Sequence, residues 1–156
     1  MARLCCAGLL GSCLAFGFGV SEGMARTRAT AVAAAQAAPS ASVNPCGLVT
    51  VKQMQSLTHR NVRKRTLAPL GPTCIYVFNG SPQEVTISVE HASFSQLTRQ
   101  MRKRKRVTVL RRQAYCGEVG QATLYVSLPS GRVLDVVAGC SVGQRIAAIA
   151  VARLGA

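Results

Sequence analysis

From Thr50 onward the apolar positions follow two periods. Helical spacing appears three times: Val51, Met54 and Leu57; Phe94, Leu97 and Met101 at i, i+3 and i+7; and a segment from Val142 to Leu154 that is apolar nearly all round, with Ile146, Ile149 and Val151. Each of these opens on a Ser or Thr with Gln three residues later, as Thr50 to Gln53, Ser93 to Gln96 and Ser141 to Gln144. That spacing lets the hydroxyl and the amide satisfy the free N–H groups of a helix start. The first helix loses its apolar face at His59, where the cluster Arg60, Arg63, Lys64 and Arg65 takes over. Gly155 is placed to stop the third.

Between the helices the period drops to two. Cys74 to Phe78, a turn at Asn79-Gly80-Ser81-Pro82, and Val85, Ile87 and Val89 alternating with Thr86, Ser88 and Glu90 predict a hairpin with one solvated face. Val107 to Leu110 reads as a short strand, and Ala122 to Leu128 pairs with Leu134 to Ala138 through Pro129-Ser130-Gly131. The fold expected is α+β, an antiparallel sheet of about five strands covered by helices in the order α-β-β-α-β-β-β-α.

The first 43 residues have a different character. Met1-Ala2-Arg3 precedes an uncharged apolar run from Leu4 to Val20, the pattern of a secretory signal, so residues 1–25 are expected to be a signal peptide or N-terminal anchor. Leu10-Gly11-Ser12-Cys13 resembles a lipobox, but the apolar run continues past Cys13, where a lipobox should close it; an ordinary signal is the preferred reading. Residues 26–43 are an Ala/Ser/Pro spacer with few large side chains to bury, expected to be disordered. The folded domain is expected to span 44–156.

Four cysteines, Cys46, Cys74, Cys116 and Cys140, remain in that domain, an even number in a chain marked for an oxidising compartment. Their separations of 28, 42 and 24 residues contain no close pair of the zinc-site kind, and no metal or cofactor is expected. Sequence permits three pairings. Cys46 with Cys74 and Cys116 with Cys140 is preferred because both bridges would then join neighbouring elements, each contributing on the order of 3–4 kcal/mol in the chain-entropy model. With 49% apolar residues but three Tyr, four Phe and no Trp, the core must be mainly aliphatic, and staples suit such a core.

Asn44-Pro45-Cys46-Gly47-Leu48-Val49-Thr50, a second Cys entering a strand, and Cys140 ahead of the last helix together resemble a widespread family of bacterial exported lipoproteins of unknown function. Its domains open on a Pro-Cys-x-Leu-Leu-Thr-like motif. Members often carry Trp shortly after the second Cys, where this chain has Tyr76, and a cleanly placed lipobox. The resemblance implies a cell-envelope protein with two disulfides, secreted or membrane-anchored outside the cytoplasm, and it supplies no catalytic residues.

Charge alters the picture more than any motif. Lys plus Arg number 19 against 5 acidic residues, and 16 against 4 fall in 44–156, so the domain itself is strongly basic. Eight positive charges lie within the fourteen residues from Arg99 to Arg112: Arg99, Arg102, Lys103, Arg104, Lys105, Arg106, Arg111 and Arg112. The six from Arg99 to Arg106 are the candidate anionic-surface site, expected to project as the basic tail of the second helix. Its candidate partners are phospholipid headgroups and anionic envelope polymers. Sequence-specific nucleic-acid recognition is not expected, since neither a helix-turn-helix nor an aromatic stacking platform is visible.

Catalytic signals are thin. The domain's carboxylates, Glu84, Glu90, Glu118 and Asp135, are scattered, as are His59 and His91. Gly117-Glu118-Val119-Gly120 is too short for a phosphate loop. Asp135 interrupts an apolar strand and is expected to pair with a nearby Arg such as Arg132. The reading that results is an exported binding or scaffolding module rather than an enzyme. A carrier of a small apolar or lipid ligand is the alternative, and an enzyme of unknown type comes third.

Overall fold

The computed structural model describes residues 43–155. The expected signal, Cys13 and the spacer as far as residue 42 lie outside the described residues. Val43 packs against the core, so a residue assigned to the spacer from sequence belongs to the folded domain.

Asn44 opens the domain, its side chain accepting from the Cys46 N–H at 3.0 Å to cap a 3-10 turn at Pro45–Gly47. Helix α1 (Val51–Thr58) follows with the predicted capping box: the Gln53 N–H donates to Thr50 Oγ1 at 3.2 Å, and the Thr50 N–H donates to Gln53 Oε1 at 3.0 Å. The helix ends where its apolar periodicity ends. His59 turns left-handed (φ 55°) and the chain enters an unanticipated strand, β1 (Val62–Leu67), which contains Arg63, Lys64 and Arg65. In a continued helix Arg60 and Lys64 would be like charges at i and i+4, whereas in a strand successive side chains diverge into solvent.

Strands β2 (Thr73–Phe78) and β3 (Glu84–His91) form the predicted hairpin. Helix α2 (Phe94–Arg99) is capped by Ser93 as expected but ends before Met101, and the basic run forms strand β4 (Arg102–Val109) instead of a helix tail. Five consecutive cations repel along a helix, while Val107, Thr108 and Val109 favour the extended state. A hairpin leads to β5 (Arg112–Val119), also missed from sequence, then β6 (Gln121–Ser127) and β7 (Arg132–Val137), which pair as predicted.

Helix α3 (Cys140–Arg153) begins earlier than predicted. Gly139, not Ser141, is its N-cap, and no side chain caps it. Ser141 lies inside the first turn, and Gln144 Nε2 reaches the Cys140 carbonyl at 3.4 Å. The order is therefore α-β-β-β-α-β-β-β-β-α, with seven strands where about five were expected.

All seven strands form one open antiparallel sheet in the order β1-β2-β3-β7-β6-β5-β4. One face carries Tyr76, Phe78, Ile87, Leu124, Val126, Leu134 and Val136, which pack with Met54 of α1 and with Ile146, Ala147, Ala150 and Val151 of α3. The other face is covered only locally, where Phe94, Leu97 and Met101 meet Tyr115, Tyr125 and Val133. Gly117 permits the turn into β4 to pass so close: a Cβ there would lie 2.7 Å from the Arg102 carbonyl oxygen.

Both expected disulfides are present, Cys46–Cys74 and Cys116–Cys140. The first ties the opening turn to β2, the second ties β5 to the start of α3. Hydrogen bonds fasten the opening as well. The Tyr76 hydroxyl donates to the Val49 carbonyl, and the Arg153 guanidinium donates to the Gly47 and Leu48 carbonyls (3.0 and 2.8 Å) and to Gln53 Oε1 (2.8 Å). Replacing Arg153 by Ala should lower stability in urea unfolding by about 1–3 kcal/mol, because it removes three charge-assisted bonds. Arg153→Lys should recover only part of this, since one ammonium lacks the fork that reaches all three oxygens.

Candidate functional site

The six residues singled out as an anionic-surface site belong to two elements. Arg99 closes α2, while Arg102, Lys103, Arg104, Lys105 and Arg106 run along β4, which has β5 on one side and solvent on the other. The register shifts between Arg102 and Lys105, where Lys103 takes a positive φ of 49°. This irregularity turns Lys103 toward Glu118, and Nζ lies 2.9 Å from Oε1 in the only ion pair among the described residues. The hydrogen bond between them, reinforced by their opposite charge, raises the lysine pKa and lowers that of the carboxyl. Arg104 is also engaged internally, with Cζ 4.9 Å from the centre of the Tyr115 ring and Nη1 donating to the Thr98 carbonyl at 3.2 Å. Arg102, Lys105 and Arg106 are exposed and make no side-chain hydrogen bond or ion pair within the described residues.

The hairpin beyond β4 turns on Leu110 and Arg111, with φ of 46° and 65°. Two successive left-handed residues make the tight reversal that suits strand twist, but Asn or Gly ordinarily fills it. Leu110 is 54% exposed at its tip.

The cluster Arg63, Lys64 and Arg65, which sequence left unplaced relative to the Arg102–Arg106 run, lies on β1. That strand forms the opposite margin of the sheet, with β2, β3, β7, β6 and β5 between the two. All three side chains are exposed, and Arg65 Nη1 donates to the Cys46 carbonyl at 3.3 Å. Leu67 at the end of this strand (54%) and Leu70 in the turn that follows (90%) are exposed.

Asp135 does not pair with Arg132, contrary to expectation. The two are three positions apart on one strand and so point to opposite faces. Asp135 instead stands in a cross-strand row between Ser88 of β3 and Tyr125 of β6, on the face that carries α2. Its Oδ1 is buried without a hydrogen-bond partner, and Glu90, which accepts from Ser88 Oγ at 3.0 Å, lies on the same face. Burial first and the Glu90 charge second push the Asp135 carboxyl up to about 7. Burial raises the Tyr125 phenol, with Asp135 and Glu90 adding to it. Glu118 is engaged on β5 with Lys103, and His59 and His91 lie at separate element ends, so these groups do not converge with Asp135. No group of three metal-ligating side chains occurs among the described residues.

An open cleft of about 710 Å³ lies at the far end of the sheet between the end of α1 and the start of α3, lined in part by Thr58, Arg60, Glu84, Gln121, Ala138 and Val142. Its wall mixes charged, amide and small apolar groups. Among the described residues no helix is long and apolar enough to cross a membrane. No protein-family model, curated protein or solved structure matches the chain.

The Asp135 row makes stability depend on pH in a defined direction. An acid whose folded pKa is raised stabilises the protonated fold, so its contribution is whole below the ordinary carboxylate range and is lost as pH rises through about 7. Asp135→Asn should therefore be more stable than the native protein at pH 8, by on the order of 2–4 kcal/mol. The difference should shrink progressively toward pH 4. Thermal or urea unfolding of both proteins across that range measures it.

Proposed function

We propose that the protein is an exported cell-envelope binding or scaffolding module that docks on anionic surfaces through its basic segment. The observation that carries this reading is that the Arg102–Arg106 run lies along an exposed sheet margin, where Arg102, Lys105 and Arg106 are available to a partner. Positive charge also protects an open edge from pairing with another sheet, and Lys103 and Arg104 have local structural roles. One or two cations suffice for edge protection. Three uncommitted ones in a five-residue run, followed by Arg111 at the tip, exceed that need. The paired disulfides suit an extracytoplasmic location, and the Pro-Cys opening supports kinship with exported envelope lipoproteins.

The alternative, a carrier of an apolar ligand, calls for an enclosed apolar cavity between sheet and helices. That layer is filled by Met54, Tyr76, Phe78, Leu124 and Ile146, all of them buried, and the cleft at the sheet end is open and partly charged.

Protein expressed from the full-length sequence should co-sediment with phosphatidylglycerol-containing vesicles at low ionic strength and much less at high. It should bind pure phosphatidylcholine vesicles weakly at either. The triple variant Arg102→Gln/Lys105→Gln/Arg106→Gln should bind the anionic vesicles at least fivefold more weakly, since each cation near an anionic leaflet contributes about 1 kcal/mol and only the smaller Arg63-Lys64-Arg65 cluster remains. Equal binding of the native protein to anionic and neutral vesicles would overturn the docking reading.

A further inference from the structure

We infer that the protein is bivalent toward lipid: the β1 margin is a second docking site, and the two margins together bridge two anionic membrane surfaces. This rests on the docking reading and extends it to a second site and a stated partner.

The two margins carry the same combination of features. Each is an exposed strand with consecutive cations, Arg63-Lys64-Arg65 on β1 and Arg102 to Arg106 on β4. Each ends in exposed leucine, Leu67 at the last position of β1 with Leu70 in the turn beyond it, and Leu110 in the turn after β4. Of the four large hydrophobic side chains exposed among the described residues, three lie at the ends of these two strands or in the turns beyond them, and the fourth, Val119, ends β5. A cationic strand ending in an exposed aliphatic tip suits the headgroup boundary of a bilayer, where charge meets phosphate and the apolar side chain leaves water. A hydrophilic polymer would give the leucines nothing, and single-stranded nucleic acid is held by stacking on aromatic rings, which these tips lack. Leu110 is the more telling of the tips, because it holds a left-handed conformation that glycine adopts freely and that strains a residue with a side chain. The hairpin would form more readily with Asn or Gly there.

The margins cannot serve one flat surface together. Six inter-strand spacings separate them, about 29 Å, more than three Debye lengths at physiological ionic strength. The margins are the two ends of the strand order, β1 open on the side away from β2 and β4 open on the side away from β5. A bilayer in contact with β4 leaves β1 directed at a different surface. Occupation of both margins joins two membranes.

The test is clustering of phosphatidylglycerol-containing vesicles by the full-length protein, followed by light scattering beside the sedimentation assay for binding. The native protein should cluster vesicles at low ionic strength. Arg63→Gln/Lys64→Gln/Leu70→Ser, which spares the Arg65 bond to Cys46, should bind single vesicles within a fewfold of native yet cluster at least tenfold less. Lys105→Gln/Arg106→Gln/Leu110→Asn should likewise cluster at least tenfold less. Thermal melts matching the native protein would show that both variants are folded.

Vesicle binding without clustering, or undiminished clustering by the β1 variant, would overturn the bivalent arrangement and leave single-site docking standing. Absence of any preference for anionic vesicles would overturn docking itself. Condensation of duplex DNA without clustering of vesicles would overturn the assignment to lipid.

Discussion

An open antiparallel sheet ends in two strands whose outward N–H and C=O groups have no partner in the sheet, and these groups invite any other extended chain to pair. Everything distinctive about this surface lies at those two places. The chain fills both margins with consecutive Lys and Arg, so that a second copy approaching edge to edge would meet its own charge. The same requirement leaves an array of cations presented outward on a rigid support. Protection and recognition are thus served by the same side chains, and the uncommitted residues are the ones in excess of protection.

Rigidity comes from the covered face. An aliphatic layer with few aromatic rings buries modest area per residue, and here its components are fastened to one another. Cys46–Cys74 and the Tyr76–Val49 bond hold the opening to β2, Arg153 holds it to α3, and Cys116–Cys140 holds the start of α3 to β5. Arg153 shows that positive charge in this chain is not all available to partners: it is spent on backbone carbonyls of the opening turn. Asp135 is the opposite case, a carboxyl placed among Ser88, Tyr125 and Glu90 with one oxygen unpaired, which the sheet tolerates most easily when the group is protonated.

Local signals in the sequence were legible wherever a residue's own neighbours determine its conformation. The Thr50 and Ser93 caps, the β2–β3 and β6–β7 hairpins, and the apolar third helix follow from spacing within a few residues, and the disulfide pairing followed from which elements adjoin. The signals failed at β1 and β5. Val62–Leu67 has no alternating apolar face because a margin strand buries little, and Arg112–Val119 alternates through only two small residues, Ala114 and Cys116, whose inward positions are unremarkable until the strands beside them are known. Ser141 imitated a cap because Cys140, held by its disulfide, already begins the helix.

By itself, then, the sequence determined the α+β class, most element identities, the staples and the large excess of positive charge, since these depend on composition and on contacts between near neighbours. Where that charge lies was decided only by tertiary structure. Strand order is a long-range property: the separation of β1 from β4 by five other strands arises from β7 inserting beside β3, through pairings between residues some fifty positions apart. No local pattern encodes that insertion. It converts two basic clusters that could have formed one patch into two margins facing apart.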